Sequence, residues 1–490
     1  MSTIRSRSRW TSLLQGRQAI VGLLFLASTV SSAHMDPFDT RAAIDMTPPS
    51  TLAGDERDAR ACASEPLPQR LSLYEAVSRA LCNNPKVQHS WANVLMNADQ
   101  VGVAQAAYLP SVNANASMQR ARNTYTNLGQ GQPDWTTRTS SQDASLSLSW
   151  VLFDFGQRSA NLTYYRRLLD LAKASHTNAL QTIFEQTAEA FYNAWAGESA
   201  LSAAVEAEAT AEQSYRSAQR KHAAGVGTLN DELQARTAWQ QATFDRINAA
   251  GLLRIAQGAL CTAMGLAVDT PVAIDVDVGA QPTAQFSQSV GDLLEQAQNV
   301  NPKLRAARAQ LDADKAGAAR ARSQALPTVS LTGNLDNDRQ VAGYPGATPE
   351  KSRVIGIQIS IPIFSGFGQV YRHQASEEQV NIDRADLRDA ELQVATSVWQ
   401  SYQTVTTRTE SVNVARSEQE SAQQAYEVAS RRYAVGIGAL LDLLTAQSAL
   451  ANARRQIVQS QADWRIARLQ LALAIGVLDG WQGVSGTEAP

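Results

Sequence analysis

What most limits the folds open to this chain is that it repeats itself once. Gly225, Gly227, Leu229 and Asp231 return as Gly436, Gly438, Leu440 and Asp442, and the stretch 220–231 lies without gaps over 431–442 at an offset of 211. Asn84-Pro85-Lys86 returns as Asn301-Pro302-Lys303 and Leu109-Pro110 as Leu326-Pro327, both at an offset of 217. Phe153-Asp154-Phe155-Gly156-Gln157 returns as Phe364-Ser365-Gly366-Phe367-Gly368-Gln369. Such a period far exceeds the roughly 20–50 residues of a solenoid unit, so the chain is read as two half-molecules rather than an array.

Within each half the sequence specifies both strands and very long helices. No proline occurs between Pro133 and Pro271 or between Pro362 and Pro490, and both segments are rich in Ala, Gln, Glu, Arg and Leu, all good helix formers. Phe184, Ala188, Phe191 and Trp195 mark one apolar stripe, and Leu392, Ala395, Trp399 and Tyr402 a second, at coiled-coil spacing. Each segment is interrupted at a Gly-x-Gly, where Gly225 and Gly436 can take positive φ and Thr228 can cap the next helix. Each half therefore holds a helical hairpin. The arm from Gln157 to Gln219 alone would reach roughly 95 Å, longer than a compact globule needs. Upstream, Ser72 and Glu75 form a capping box before a helix that runs to Asn83-Asn84-Pro85.

Strict alternation in Ser145–Trp150 and Ile355–Ile361 marks two strands, with partners at Val112–Met118 and Val329–Thr332. Connections rich in Asn, Gly and Asp, from Asn123 to Arg138 and from Asn334 to Glu350, join the partners. Period two also fits a half-buried strand of a soluble sheet. Here aliphatic residues oppose Ser, Gln and Gly, no βαβ pattern supplies cover, and the N-terminus carries an export signal, which favours lipid-facing strands of roughly 9–11 residues. Four strands cannot close a barrel, and an open edge in lipid strands backbone polar groups, so several chains are expected to share one.

That export signal consists of Arg5, Arg7, Arg9 and Arg17 before the apolar run Ile20–Ala27, then the small residues Ser31-Ser32-Ala33. The domain reading is a signal peptide over 1–33, an irregular Pro-containing arm over 34–70, a first repeat over 71–280, a second over 281–476 and a tail over 477–490. A net charge of −3 gives no electrostatic case for nucleic acid. Three cysteines, Cys62, Cys82 and Cys261, leave at least one thiol free; Cys62 and Cys82 can pair, but nothing requires it. The five histidines are scattered, Gly225-Val226-Gly227 lacks the lysine of a phosphate loop, and Asp275-Val276-Asp277 and Asp336-Asn337-Asp338 do not continue as calcium loops. No catalytic constellation, metal site or cofactor is expected.

Signal, duplication, strand pairs and long hairpins together resemble the TolC family of outer-membrane channels. The local marks are Leu71-Ser72-Leu73-Tyr74-Glu75-Ala76-Val77, Asn84-Pro85, the Leu-Pro before each strand pair, Phe153-Asp154, and the tip Tyr433-Ala434-Val435-Gly436-Ile437-Gly438-Ala439-Leu440-Leu441-Asp442. The stretch Leu81-Cys82-Asn83-Asn84-Pro85 looks most like the CyaE-type branch that serves toxin export. The resemblance implies a mixed α+β membrane protein: a homotrimer whose four strands per protomer share a twelve-stranded β-barrel, continued across the periplasm by an α-helical barrel. It implies a periplasmic adaptor docked at the tips (Gly225, Val226, Gly227, Gly436, Ile437 and Gly438), an ABC-type or other inner-membrane pump, and protein or small-molecule cargo.

The resemblance also assigns a gate. Asp231 and Tyr433 match positions of the closing network, and Asp442 an acidic ring at the pore entrance. Gly438 stands where some members carry an arginine of that network, and Thr445 where a second acidic ring is expected. Capping remains an equal alternative for both aspartates, since each lies in a helix's first turn. The function expected is an exit channel for a protein toxin, with drug efflux as the alternative and an exported coiled-coil stalk or adhesin as the rival from another class.

Overall fold

Asn84 both ends one helix and starts the next. Its extended backbone stops α1 (Leu73–Asn83), its side chain accepts the Lys86 amide, and Pro85 occupies the first turn of α2 (Pro85–Ala106). Ser72 and Glu75 close the expected capping box on α1. The computed structural model of the chain describes residues 36–44, 68–126, 135–275, 289–341 and 350–477. The signal peptide, most of the 34–70 arm, the tail beyond 477 and Cys62 lie outside the described residues. Residues 36–44 form a separate small turn, in which the Arg41 amide and Thr40 hydroxyl both donate to Asp36.

After α2 come β1 (Ser111–Tyr125), β2 (Trp135–Phe153), α3 (Gln157–Ala223) and α4 (Leu229–Ala263). The same order follows in α5 (Val290–Val300), α6 (Pro302–Ser323), β3 (Thr328–Val341), β4 (Glu350–Ser360), α7 (Gly368–Ala434) and α8 (Leu440–Ile475). Asn301 serves α5 and α6 as Asn84 serves α1 and α2. Each Asn also reaches across the fold, Asn84 Nδ2 donating to the Ala263 carbonyl at 3.1 Å and Asn301 Nδ2 to Ala474 at 2.9 Å. Both bonds grip the far end of the returning helix, where Gly265 and Gly476 have positive φ and no room for a Cβ against Asn83 and Asn301. α3 and α7 each run 67 residues, about 100 Å at 1.5 Å per residue.

The core lies where the short helices pack on the hairpins. Phe184, Ala188, Phe191 and Trp195 are buried there with Leu71, Val77, Leu260 and Met264, as the first stripe predicts. The second stripe does not turn into the core of the single chain. Leu392 and Trp399 are 55% and 52% exposed, and the buried positions of α7 include Val394, Val398, Val405 and Val412. α7 carries two apolar faces, and periodicity cannot say which one turns inward.

The strands form one antiparallel sheet in the order β1-β2-β3-β4. They are longer than expected: Asn123 pairs with Thr137, Tyr125 with Trp135, and Asn337 with Lys351, so pairing enters both segments read as connections. A hydrogen-bonded ladder does not require alternating side chains, and Thr and Tyr favour strands. Among the described residues no helix is long and apolar enough to cross a membrane.

Candidate functional site: the membrane face and the hairpin tips

Register decides which face each strand residue occupies, because directly paired residues share a side. One rung joins Val112, Leu148, Gly333 and Ile355; the next toward the helices joins Trp150, Leu331 and Ile357. Val329 and Ile359 extend that face below, and Ala114, Leu146 and Leu335 above. The opposite face carries Asn113, Ser147 and Asn334, then Asn115, Ser145 and Asp336. Ile355, Ile357 and Ile359 are 76%, 68% and 61% exposed, so none of the described residues covers the apolar side.

Along β2 from Trp150 to Ala144 this face spans about 20 Å at 3.4 Å per residue, and Val329 and Ile359 carry it one rung further, close to the roughly 25 Å apolar band of outer-membrane barrels. Exposed Phe153, Phe155, Phe364 and Phe367 crowd its helix-side end. An aromatic girdle at the membrane interface is a mark of such barrels. The strand ends beyond the band, with Arg120, Arg122, Arg138 and Arg339, are polar.

The joint between sheet and first hairpin is rigid. Asp154 is buried and accepts the Arg158 amide at 2.9 Å and Arg158 Nε at 2.8 Å, while Arg158 Nη1 donates to the Val151 carbonyl at 2.6 Å. One aspartate thereby starts α3 and, through its arginine, holds the end of β2. Sequence marks Asp154 only as part of a motif; its junction role needs the fold.

At the other end of the hairpins the two tips are built alike. Gly225 donates to the His222 carbonyl and Val226 to Lys221; Gly436 donates to Tyr433 and Ile437 to Arg432. These are paired Schellman turns, which need the left-handed backbone found at Gly225 (φ +74°) and Gly436 (φ +83°). Gly227 and Gly438 are glycine for another reason: a Cβ on either would stand 3.0 Å from Lys221 Cβ or Arg432 Cβ. Val226 and Ile437 project outward, 77% and 72% exposed.

The acidic tip residues differ. Asp231 forms a capping box with Thr228, its amide donating to Thr228 Oγ1 at 3.1 Å. Asp442 occupies the same turn of α8, but Ala439 caps nothing, and Asp442 is exposed without a hydrogen bond or ion pair among the described residues. Tyr433 is buried among Ala218, Ala235, Leu440 and Leu443, drawn from the other three hairpin helices. Burial, then the negative charge of Asp231, pushes its hydroxyl pKa above the usual value. The structure thus brings Asp231 and Tyr433 together and leaves Asp442 apart. Sequence reasoning missed Lys221, whose ammonium lies 3.8 Å from the Tyr433 ring centre. Among the described residues no group of three or more His, Cys, Asp or Glu side chains is placed to hold a metal ion.

An uncovered apolar sheet face, an aromatic rim on its helix side and hairpins about 100 Å long match one kind of protein in particular. The model of the outer membrane efflux protein family matches residues 76–266 and again 293–477. The chain belongs to that family. It is 30% identical over 417 residues to protein CyaE of Bordetella pertussis, covering 83% of this chain and 84% of that one. It is 24% identical to the outer membrane protein TolC of Escherichia coli, covering 84% of each. Among solved structures, the outer membrane protein VceC of Vibrio cholerae superposes with a TM-score of 0.67 at 20% identity, over 82% of this chain and 96% of that chain. The protein is therefore an outer-membrane efflux or secretion channel of TolC-like fold, with its long hairpins in the periplasm. Family and fold are those of channels rather than enzymes, and family members are trimers that work with periplasmic adaptors and inner-membrane pumps.

Proposed function

We propose that the protein is the homotrimeric exit duct of a type I secretion machine that exports a protein toxin. The observation that carries the shared barrel is the open four-stranded sheet. Among the described residues β1 and β4 each leave one edge unpaired, which lipid does not tolerate, and three copies joined edge to edge would close twelve strands. Apolar stripes left uncovered support neighbouring copies below the membrane. Phe244, Ile247 and Ile255 on α4 and Leu392 and Trp399 on α7 are all more than half exposed. Residues 71–280 and 281–476 are read as the two repeats of one ancestral half, which supports hairpins of matched length around the tunnel.

Toxin as cargo rests on the resemblance to CyaE, at 30% identity against 24% for TolC and for a toluene efflux channel of Pseudomonas putida. The exposed tips around Val226 and Ile437 are the proposed adaptor contact, Asp231 and Tyr433 the proposed closing pair, and Asp442 the proposed acidic ring. No nucleotide site is part of this reading, so the driving energy comes from the inner-membrane partner. The test is deletion of the gene. Retention of a secreted protein in the cells, restored by the wild-type copy and not by Gly225→Trp or Gly436→Trp, supports the reading. Normal protein secretion with new sensitivity to small toxic compounds would replace it with drug efflux.

A further inference from the structure

The two hairpins of one protomer are tied together by a ladder of polar contacts. Arg454 on α8 pairs with Glu206 on α3 at 2.9 Å, and Gln447 donates to Ser214 Oγ at 2.6 Å one step lower. The last rung is Lys221, at the final turn of α3. Its Nζ donates to the Tyr433 carbonyl at 2.9 Å while lying 3.8 Å from the centre of the same ring. The Tyr433 carbonyl also accepts the Gly436 amide of the second tip turn, and the Lys221 carbonyl accepts the Val226 and Gly227 amides of the first. One lysine therefore joins both turns, so the tips cannot separate without breaking it.

We propose that Lys221 is the latch that keeps the two hairpin tips of each protomer together in the closed channel. The inference rests on the channel reading above and adds a residue to its closing pair. A cation above a half-desolvated ring is held by charge and by the ring quadrupole at once, and Tyr433 is packed too firmly to follow a moving partner. Gly438, five positions beyond Tyr433, offers no side chain for this task, so the cation on Tyr433 comes from the other hairpin. Lys221 acts by positioning Tyr433 beside Asp231, not by touching cargo.

The test is single-channel recording of the full-length mature protein in planar bilayers. Lys221→Met keeps the aliphatic stem and removes the charge; it should raise the open fraction about fivefold or more, while melting temperature and oligomeric mass stay those of the wild type. Lys221→Arg should restore the closed state. In a Tyr433→Leu background, Lys221→Met should add much less, because the ring contact is already gone. Wild-type gating by Lys221→Met in a conducting protein would overturn the latch and leave the channel reading intact. Absence of conductance in every form, wild type included, would overturn the channel reading itself. If Lys221→Met fails to assemble, Tyr433→Leu decides: an unchanged open fraction, or failure of both to assemble, overturns the latch.

Discussion

Replacing Asp383 by asparagine should make the protein more stable at neutral pH and leave it nearly unchanged in acid. Asp383 lies on α7, only 5% exposed, facing Asp314 on α6. Gln379 donates to its Oδ1 at 3.2 Å and Gln310 donates to Asp314 Oδ2 at 2.6 Å, while Asp383 Oδ2 has no hydrogen-bonding donor. Burial first, then the Asp314 carboxyl beside it, with a further contribution from Asp386, push Asp383 from an ordinary 3.8 up to about 6. The folded protein therefore binds more protons than the unfolded chain between those values. Stability is full below about pH 4 and falls as pH rises through about 6, where two carboxylates come to face each other. The difference corresponds to at most about 3 kcal/mol, and to roughly 1–2 kcal/mol once solvent screening at the helix surface is allowed for. Asparagine removes the charge and can donate to Asp314. Thermal unfolding of the detergent-solubilised protein at one heating rate should show Asp383→Asn melting about 1–2 °C higher at pH 7.5 and within about half a degree of wild type at pH 4.5. A lower melting temperature at pH 7.5, or the same difference at both pH values, would refute the reasoning.

Three further outcomes follow from the geometry. Gly436→Ala should strain a backbone at φ +83° by about 1 kcal/mol and speed hydrogen exchange at 431–442, while residues 73–106 exchange as before. Asp231→Ala should cost about 1 kcal/mol by undoing its capping box, whereas Asp442→Ala should alter melting little and instead lower cation selectivity in bilayers; a stability loss from Asp442→Ala with unchanged selectivity would make it a capping residue. Ile357→Lys should cost roughly 2–4 kcal/mol on the lipid face and reduce outer-membrane insertion, whereas Ser147→Lys on the opposite face should insert; equal insertion of both would contradict the assigned faces.

Much of this fold is legible in the sequence because its signals are local. Ser72 and Glu75 announce a capping box, Asn84-Pro85 a helix boundary, and Gly225 and Gly436 left-handed turns, and each is found as read. Strand pairing within each half is also legible, since hairpin partners are neighbours in sequence. Strand ends are not: beyond Met118 the alternation fades into Gln, Arg, Asn and Thr, yet the ladder runs on to Tyr125. Which face of α7 turns inward is not legible, because Leu392 and Trp399 are spaced as well as the valines that are buried. The tip shows the same division. Asp231 and Tyr433 could be nominated by resemblance, but Lys221 meets Tyr433 across 212 positions of chain, and a lysine near a helix end reads by default as a solvated charge.

The central claim is that one protomer cannot close its own sheet. The most direct test is the mass of the mature, detergent-solubilised protein by native mass spectrometry. The account predicts three chains, with no folded monomer that retains the β-sheet. A stable monomer that inserts into outer-membrane lipid and keeps its strands paired would contradict it.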